Sequence, residues 1–348
     1  MRIAIFGATG SVGSALLVHL MKGTCLHPGD EVILVGRGDP DNTARLLAIQ
    51  ADLMDAFDAG IVGISVCTAI EDLTSVDVFV MAAGQTLSAS ITRREDLAEA
   101  NLSLFKNTAS SLARTSPNCI VLIVSNPVEL AVNVFANRMD RTRVFGMGAQ
   151  QDSIRFARAI ATHLHLPRAY VRASVIGEHG PGMLPLWSSV RLTQTDLRDE
   201  AELAKLRSHF DVAEADQLPA TIENAVSEQL SPELVQKTYQ WLAISSPEVR
   251  IKTEPLLTRR LLHSTPNATA NATMECLQAL IDADDRKVHG QVFLRGEFGN
   301  IQGVFGVPLA LRSDGWRLNS YDDLSDEEQA RALKISQKIN RDYESLLP

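Results

Sequence analysis

The 348-residue chain has only four cysteines, Cys25, Cys67, Cys119 and Cys276, and no two of them form a CxxC pair. That scarcity argues against a disulfide scaffold and against a structural metal site; no metal is expected, and the thiols should be reduced. No apolar run approaches the ~20 residues that a helix needs to cross a bilayer, so no membrane partner is expected. The sequence begins MRIAIFGATG, with neither a charged leader nor a long apolar stretch. No secretory signal is expected, and a cytoplasmic location is the reading. The N-x-S/T triplets at Asn101, Asn267 and Asn271 are then chance matches. Positive charge is also short: 33 Lys and Arg stand against 42 Asp and Glu, a net charge of -9, with a pI near 5.4. A nucleic-acid binder would usually carry a basic face, so no such partner is expected, although local basic pockets for small anions stay compatible with this balance. There is no internal repeat and no low-complexity tract.

What is present is an ordinary globular composition, 45% hydrophobic and 22% charged, in a chain long enough for one large or two ordinary domains. The first half alternates short apolar runs with helical patterns. RIAIFG, EVILVG, VDVFVMAAG and CIVLIVSNP read as strands; SVGSALLVHLMKG and TARLLAIQADLMDAF read as helices. Continuous apolar strands between helices predict a parallel sheet covered on both faces. After about Gly148 the pattern changes. A helix, DSIRFARAIATHL, leads into AYVRASVIGEHG. Later, KVHGQVFLRGEFGNIQGVFGVPLALRSDGWRLN carries β runs between Gly and Asp-Gly turns, which predicts antiparallel pairing. SDEE then opens a final helix as a capping box, with Ser325 at the N-cap and Glu328 three residues on. The expected class is α/β: a dinucleotide-binding domain over residues 1–148 with a parallel sheet, and an α+β substrate domain over 149–348.

FGATGSVG places Gly7, Gly10 and Gly13 between the first strand and the first helix. Glycines there let the backbone turn sharply and approach a pyrophosphate, which the helix N-terminus then binds. The spacing is GxxGxxG rather than GxGxxG, and its weight comes from the strand–turn–helix context. The acid expected at the end of the second strand, which would hold the ribose hydroxyls of NAD, is replaced by Gly36, and Arg37 follows. A glycine would leave room for a 2′-phosphate and an arginine would pair with it, so NADP is expected as cofactor, with NAD the alternative if Arg37 is a solvated charge and Asp39 takes the acid's place.

Four more motifs follow in order. ITRREDLAEAN carries Arg94 seven residues before Asn101; VSNPVEL places Asn126 at a strand end; GAQQDSIRFA sets Asp152 and Arg155 on one helix face; GEHG carries His179. The ordered set resembles the lactate/malate dehydrogenase family over nearly the whole chain. QADLMDAF, GEFG, GVP (306–308) and the last helix are further landmarks. The resemblance implies a catalytic trio. His179 would be the acid in ketone reduction, Asp152 its tautomer-fixing partner, and Arg94 the cation that polarises the ketone oxygen. It implies that Arg155 grips the substrate carboxylate and that Asn126 aligns substrate and nicotinamide. Cofactor contacts would come from Gly7, Gly10, Ser11, Val12, Gly13, Gly36, Arg37, Ala83, Gly84, Asn101, Val124 and Asn126. Residues 84 to 94 would form a water-excluding lid, the product would be an L-2-hydroxy acid, and the assembly a homodimer or homotetramer. His163 and His165 lack such companions and read as structural.

Three departures from the family stand out. Malate members carry an arginine in the lid and lactate members a glutamine; here that position falls on Leu87 or Ser88. The stretch YQWLAISSPEVRIKTEPLLTRRLLH is extra and brings Trp241, Arg250, Lys252, Arg259 and Arg260 toward the site or toward a subunit contact, a surface or interface helix being the plainer role. Pro181 follows GEHG where an acid is common. The expectation is therefore an NADP-dependent 2-hydroxy acid dehydrogenase for a substrate that is neither plain malate nor plain lactate. The alternative is a malate dehydrogenase that uses a basic residue from 241–262. GATGSVG also opens short-chain dehydrogenases, but none of Tyr170, Tyr239, Tyr321 and Tyr343 is followed by Lys four residues on. A non-catalytic dinucleotide sensor or scaffold is the reading of another class; the full His179, Asp152, Arg155 and Arg94 set argues against it.

Overall fold

The computed structural model describes residues 1–57, 62–86, 93–194, 196–208, 231–262, 264–319 and 324–346. In the first part, strands β1 (Arg2–Phe6), β2 (Glu31–Val35), β3 (Gly63–Cys67), β4 (Val78–Met81), β5 (Ile120–Ile123) and β6 (Val144–Gly146) alternate with helices α1 (Ser11–Lys22), α2 (Pro40–Ala56), α3 (Arg94–Thr115) and α4 (Val128–Ala136). These six strands are parallel, in the order β3-β2-β1-β4-β5-β6. β1, β4 and β5 are apolar almost throughout because helices cover both faces. The order reverses between β1 and β4, the point at which such sheets leave a crevice for a ligand.

The remaining elements are α5 (Gly148–His163), β7 (Val171–Gly177), β8 (Met183–Leu192), α6 (Leu197–Ser208), α7 (Pro232–Ile244), α8 (Pro247–Leu262), α9 (Pro266–Asp282), β9 (Val288–Arg295), β10 (Gln302–Arg312), β11 (Gly315–Leu318) and α10 (Asp326–Glu344). β9 pairs antiparallel with β6 through Gln291 and Gly146, so one sheet runs on through β9, β10, β7 and β8, with β11 beside β10. Fully buried Phe79, Phe105, Phe135, Phe145 and Phe305 fill the main core. A smaller core joins α5, β7, β8, α6 and α8 through Phe156, Ile160, Val175, Val190, Leu203 and Ile251. The capping box of α10 forms as expected: Ser325 Oγ accepts from the Glu328 amide at 3.2 Å, and Glu328 accepts from the Ser325 amide at 2.9 Å. Among the described residues, no helix is long and apolar enough to cross a membrane.

Three strands escape the sequence reading. β6 has only three residues, too few to show a period. β3 is a half-buried edge strand. β8 holds a proline and two serines within MLPLWSSVRL, which hides its alternation.

At the start of α8, the buried Glu248 carboxyl accepts a hydrogen bond from the Trp187 indole of β8. Burial pushes its pKa up to about 7, against the opposing pull of Lys252. An acid whose folded pKa is raised is penalised once it ionises. Folding stability should therefore fall as pH rises from the unfolded value, ~4.3, to about 7. Glu248→Gln should raise stability at pH 8 by roughly 1–3 kcal/mol and change it little at pH 5. Denaturant unfolding at the two pH values checks this; an equal effect at both would contradict it.

Candidate active site

The glycine loop brings three pieces of backbone together. Gly7 leaves β1 at φ +100°, and a Cβ on it would lie 2.6 Å from the Ala82 carbonyl carbon. A Cβ on Gly13 would lie 2.2 Å from the Gly7 carbonyl oxygen, so α1 can sit against the loop only as glycine. Gly10 is the N-cap of α1, with no side-chain cap and no acid in the first turn. The free amides and positive end of α1 are thus available to an anion, the property that a pyrophosphate needs. Ser11 Oγ lies 3.0 Å from Ser264 Oγ of the segment before α9. Val12, Ala83, Gly84, Val124 and Asn126 line one cleft that ends at His179. These residues fit a nicotinamide dinucleotide.

Two expectations about cofactor contacts need correction. Gly36 does not leave open room for a phosphate, because a Cβ there would lie 2.3 Å from Asn42 Oδ1 and 2.4 Å from Leu46 Cδ1. The space is filled by α2, whose Asn42 accepts from the Arg37 amide. Arg37 is exposed, 3.7 Å from Asp39, which caps α2 through the Asn42 amide. Asn101, by contrast, is buried and fully engaged with backbone. It accepts from the Gln85 amide at 2.7 Å and donates to the carbonyls of Gln85 and Asn126 at 3.1 and 2.8 Å. It fixes the loops after β4 and β5 rather than lining the cleft.

The His179–Asp152 pair is assembled from two elements. α5 buries Asp152, and the turn after β7 carries His179, whose Nδ1 lies 2.7 Å from Asp152 Oδ2. The other Asp152 oxygen accepts from Arg155 at 3.0 Å. Burial raises the pKa of Asp152, but His179 and Arg155 together overcome it and hold the carboxyl below its ordinary value. The spacing of Asp152 and Arg155 on one helix face gives this pair directly. Arg155 also donates to Thr265 at 3.3 Å. Asp152, Arg155, His179 and Asn126 face a cavity of about 590 Å³.

Arg94 stands at the head of α3 and lines the same cavity, yet its guanidinium is already engaged. It donates to Glu129 at 2.7 Å and to the His179 carbonyl at 2.8 Å, and lies 3.3 Å from both Glu178 and the Tyr343 hydroxyl. Burial disfavours its charge, but Glu129, Tyr343 and Glu178 outweigh that and hold its pKa above the ordinary value. Glu129 is pushed up by burial and by Glu178, against the pull of Arg94. Glu129, Glu178 and Tyr343 were missed from the sequence. An acid within the apolar run VELAVNVFA was the available signal for Glu129, because an acid there needs a buried cation.

The extra segment forms α7 and α8, and α8 packs on α5. Its inner face brings Lys252 and Arg259 into the cavity wall, while Arg260 is exposed and Arg250 lies elsewhere, buried. The surface or interface role considered for this segment therefore does not describe α8's inner side. Trp241, on α7, stays exposed. Pro181 also lines the cavity. Leu87, Ser88 and most of the expected lid lie outside the described residues. His163 and His165 line a different cavity, beside α6. Among the described residues, no cluster of His, Cys, Asp or Glu could hold a metal ion.

Residues 1–146 match the model of the lactate/malate dehydrogenase, NAD binding domain. A malate dehydrogenase of Sulfurimonas denitrificans is 29% identical over 90% of this chain and 86% of its own. One from Natronomonas pharaonis is 24% identical over 99% of both. Among solved structures, malate dehydrogenase of Cryptosporidium parvum superposes with a TM-score of 0.76 at 22% identity, covering 99% of this chain and 98% of its own. Lactate dehydrogenase of Eimeria maxima, solved with NADH and oxamate, gives 0.75 at 19% identity, covering 99% and 93%. Residues 1–146 thus match the NAD-binding domain of lactate/malate dehydrogenases, the chain is similar to malate dehydrogenases along nearly its full length, and its fold is that of both kinds of enzyme.

Proposed function

We propose that the protein catalyses reversible reduction of a 2-oxo acid to an L-2-hydroxy acid, with NADP as the preferred dinucleotide. The observation that carries this reading is the His179–Asp152 pair at the meeting point of the cleft and the cavity. Residues 1–148 would hold the dinucleotide and 149–348 most of the substrate. When bound, the dinucleotide supplies the hydride or accepts it. His179 gives its proton to the carbonyl oxygen during reduction and takes it back from the hydroxyl during oxidation. Asp152 keeps the Nδ1 side protonated and stabilises the imidazolium. Arg155 takes the substrate carboxylate in a planar two-pronged contact. Arg94 stabilises charge on the carbonyl oxygen by giving up one of its longer contacts, such as Glu178. Asn126, whose carbonyl is fixed by Asn101, aligns the reactants.

A second reading, malate dehydrogenase activity through a basic residue of 241–262, is favoured by Lys252 and Arg259 in the cavity wall. Exposed Trp241, Ile244, Leu261 and Leu262 on α7 and α8 support a homodimer or homotetramer. A panel of 2-oxo acids with NADPH and with NADH, followed at the nicotinamide absorbance, tests the function. Failure to reduce any of them while the dinucleotide still binds would favour the sensor or scaffold reading instead.

Three features support NADP. β2 ends without an acid, Asp39 is occupied as a helix cap and as a partner of Arg37, and Arg45 approaches the glycine loop through the Thr9 carbonyl at 3.2 Å. NADPH should be used more efficiently than NADH, with a preference that shrinks as salt rises. Arg37→Ala should reduce the NADPH/NADH ratio of kcat/KM by roughly tenfold, the loss of one charge-assisted contact. Adding an acid at Gly36 is a poorer test, since Asn42 and Leu46 occupy its space. A parent that prefers NADH would overturn the assignment.

A further inference from the structure

The carboxylate of Glu129 lies between the two groups that would meet the carbonyl oxygen, His179 and Arg94. The first turn of α4 puts it there, and its side chain is fully buried. A buried carboxylate is costly unless donors surround it. Both of its oxygens meet N–H donors: Oε1 accepts from the His179 amide at 2.6 Å, and Oε2 accepts from Arg94 Nη2 at 2.7 Å. Arg94 Nη1 then donates to the His179 carbonyl at 2.8 Å. Glu129, Arg94 and the His179 backbone thus form a closed ring.

The ring holds the two peptide groups that flank the His179 Cα, one through Glu129 and the other through Arg94. Asp152 holds the imidazole at Nδ1. With backbone and ring both tied, the direction of the remaining nitrogen is set. Close packing reinforces this. A Cβ on Gly180 would run into Arg94 Nη1, and one on Gly148 would lie 2.5 Å from His179 Cβ. Glu178, the other acid beside Arg94, braces the turn instead, accepting from the Gly182 amide at 2.9 Å. A partner needed only to neutralise Arg94 would require one contact with it. Glu129 spends its second oxygen on the backbone of a residue 50 positions away. We propose that Glu129 is a positioning residue, which ties His179 and Arg94 into one unit so that proton donor and cation reach the same carbonyl oxygen together. The inference rests on the 2-oxo acid reading above and adds a residue to its machinery. When Arg94 releases Glu178 to engage the substrate, Glu129 is the anchor on which its guanidinium stays.

The test uses the 2-oxo acid that the parent reduces best, with Glu129→Gln, Glu129→Asp, His179→Asn and the Glu129→Gln/His179→Asn double variant. A displacement of about 1 Å can cost roughly 100-fold. Glu129→Gln should lower kcat by about that factor and change KM by less than about threefold, because Arg155 is untouched. Glu129→Asp keeps the charge beside Arg94 but is one methylene short of spanning both donors, and should still lose at least about tenfold in kcat. In the His179→Asn background, Glu129→Gln should cost less than about tenfold, since the main group it positions has gone; residues that act as a unit are non-additive in this way. NADPH affinity, read by fluorescence, should be the same throughout and shows that the variants are folded. A parent that reduces 2-oxo acids, with kcat within about threefold in both Glu129 variants, would overturn the role of Glu129 alone. A Glu129→Gln cost that is equal in the two backgrounds, or that falls on KM, would do the same. A parent that reduces no 2-oxo acid would overturn the underlying reading.

Discussion

Replacing His179 by Asn is expected to lower turnover by roughly 10²–10⁴-fold while leaving dinucleotide binding intact. The imidazole borders both the cleft and the cavity, and its Nδ1 is tied to Asp152 at 2.7 Å. An asparagine keeps a polar side chain toward Asp152, so the buried carboxylate retains a donor as well as Arg155. What it cannot do is carry a proton to a carbonyl oxygen. The loss should therefore appear in kcat. Steady-state kinetics and fluorescence titration of NADPH check the two halves of the expectation separately. Near-normal turnover would remove His179 from the chemistry.

Arg155→Leu should cut kcat/KM by about 30- to 3,000-fold, the range for deleting one member of a buried, hydrogen-bonded charge pair. Most of the loss should fall on KM, because the carboxylate is held in the ground state and the transition state alike. The Asp152 side complicates the variant. Arg155 now supplies part of the positive field that keeps that carboxyl ionised, so its removal should also lower stability. Arg155→Lys separates the effects: it keeps the charge beside Asp152 but not the planar fork, and should leave a substantial KM defect in a stable protein. A KM unchanged in both variants would show that the carboxylate binds elsewhere.

The sequence by itself determined the likeness to the lactate/malate dehydrogenases and the Asp152–Arg155 spacing, because the motifs behind both rest on local rules. Strand–glycine–helix punctuation marks the nucleotide loop, continuous apolar runs mark a buried parallel sheet, and an i,i+3 spacing puts Asp152 and Arg155 on one face of α5. The capping box at Ser325 was legible for the same reason: its partners are three residues apart. What only the tertiary structure decided are relations between residues far apart in the chain. Gly36 looked like open space, yet α2 packs Asn42 and Leu46 into it. Asn101 looked like a cofactor contact, yet its amide is used up in bracing two loops. Arg94 was visible, but its cage of Glu129, Glu178 and Tyr343 draws on residues 35, 84 and 249 positions away. Arg259 was one basic residue among several in the 241–262 stretch. Its place beside His179 depends on how α8 docks against α5, and docking is set by packing of whole helix faces, which no short window of sequence records.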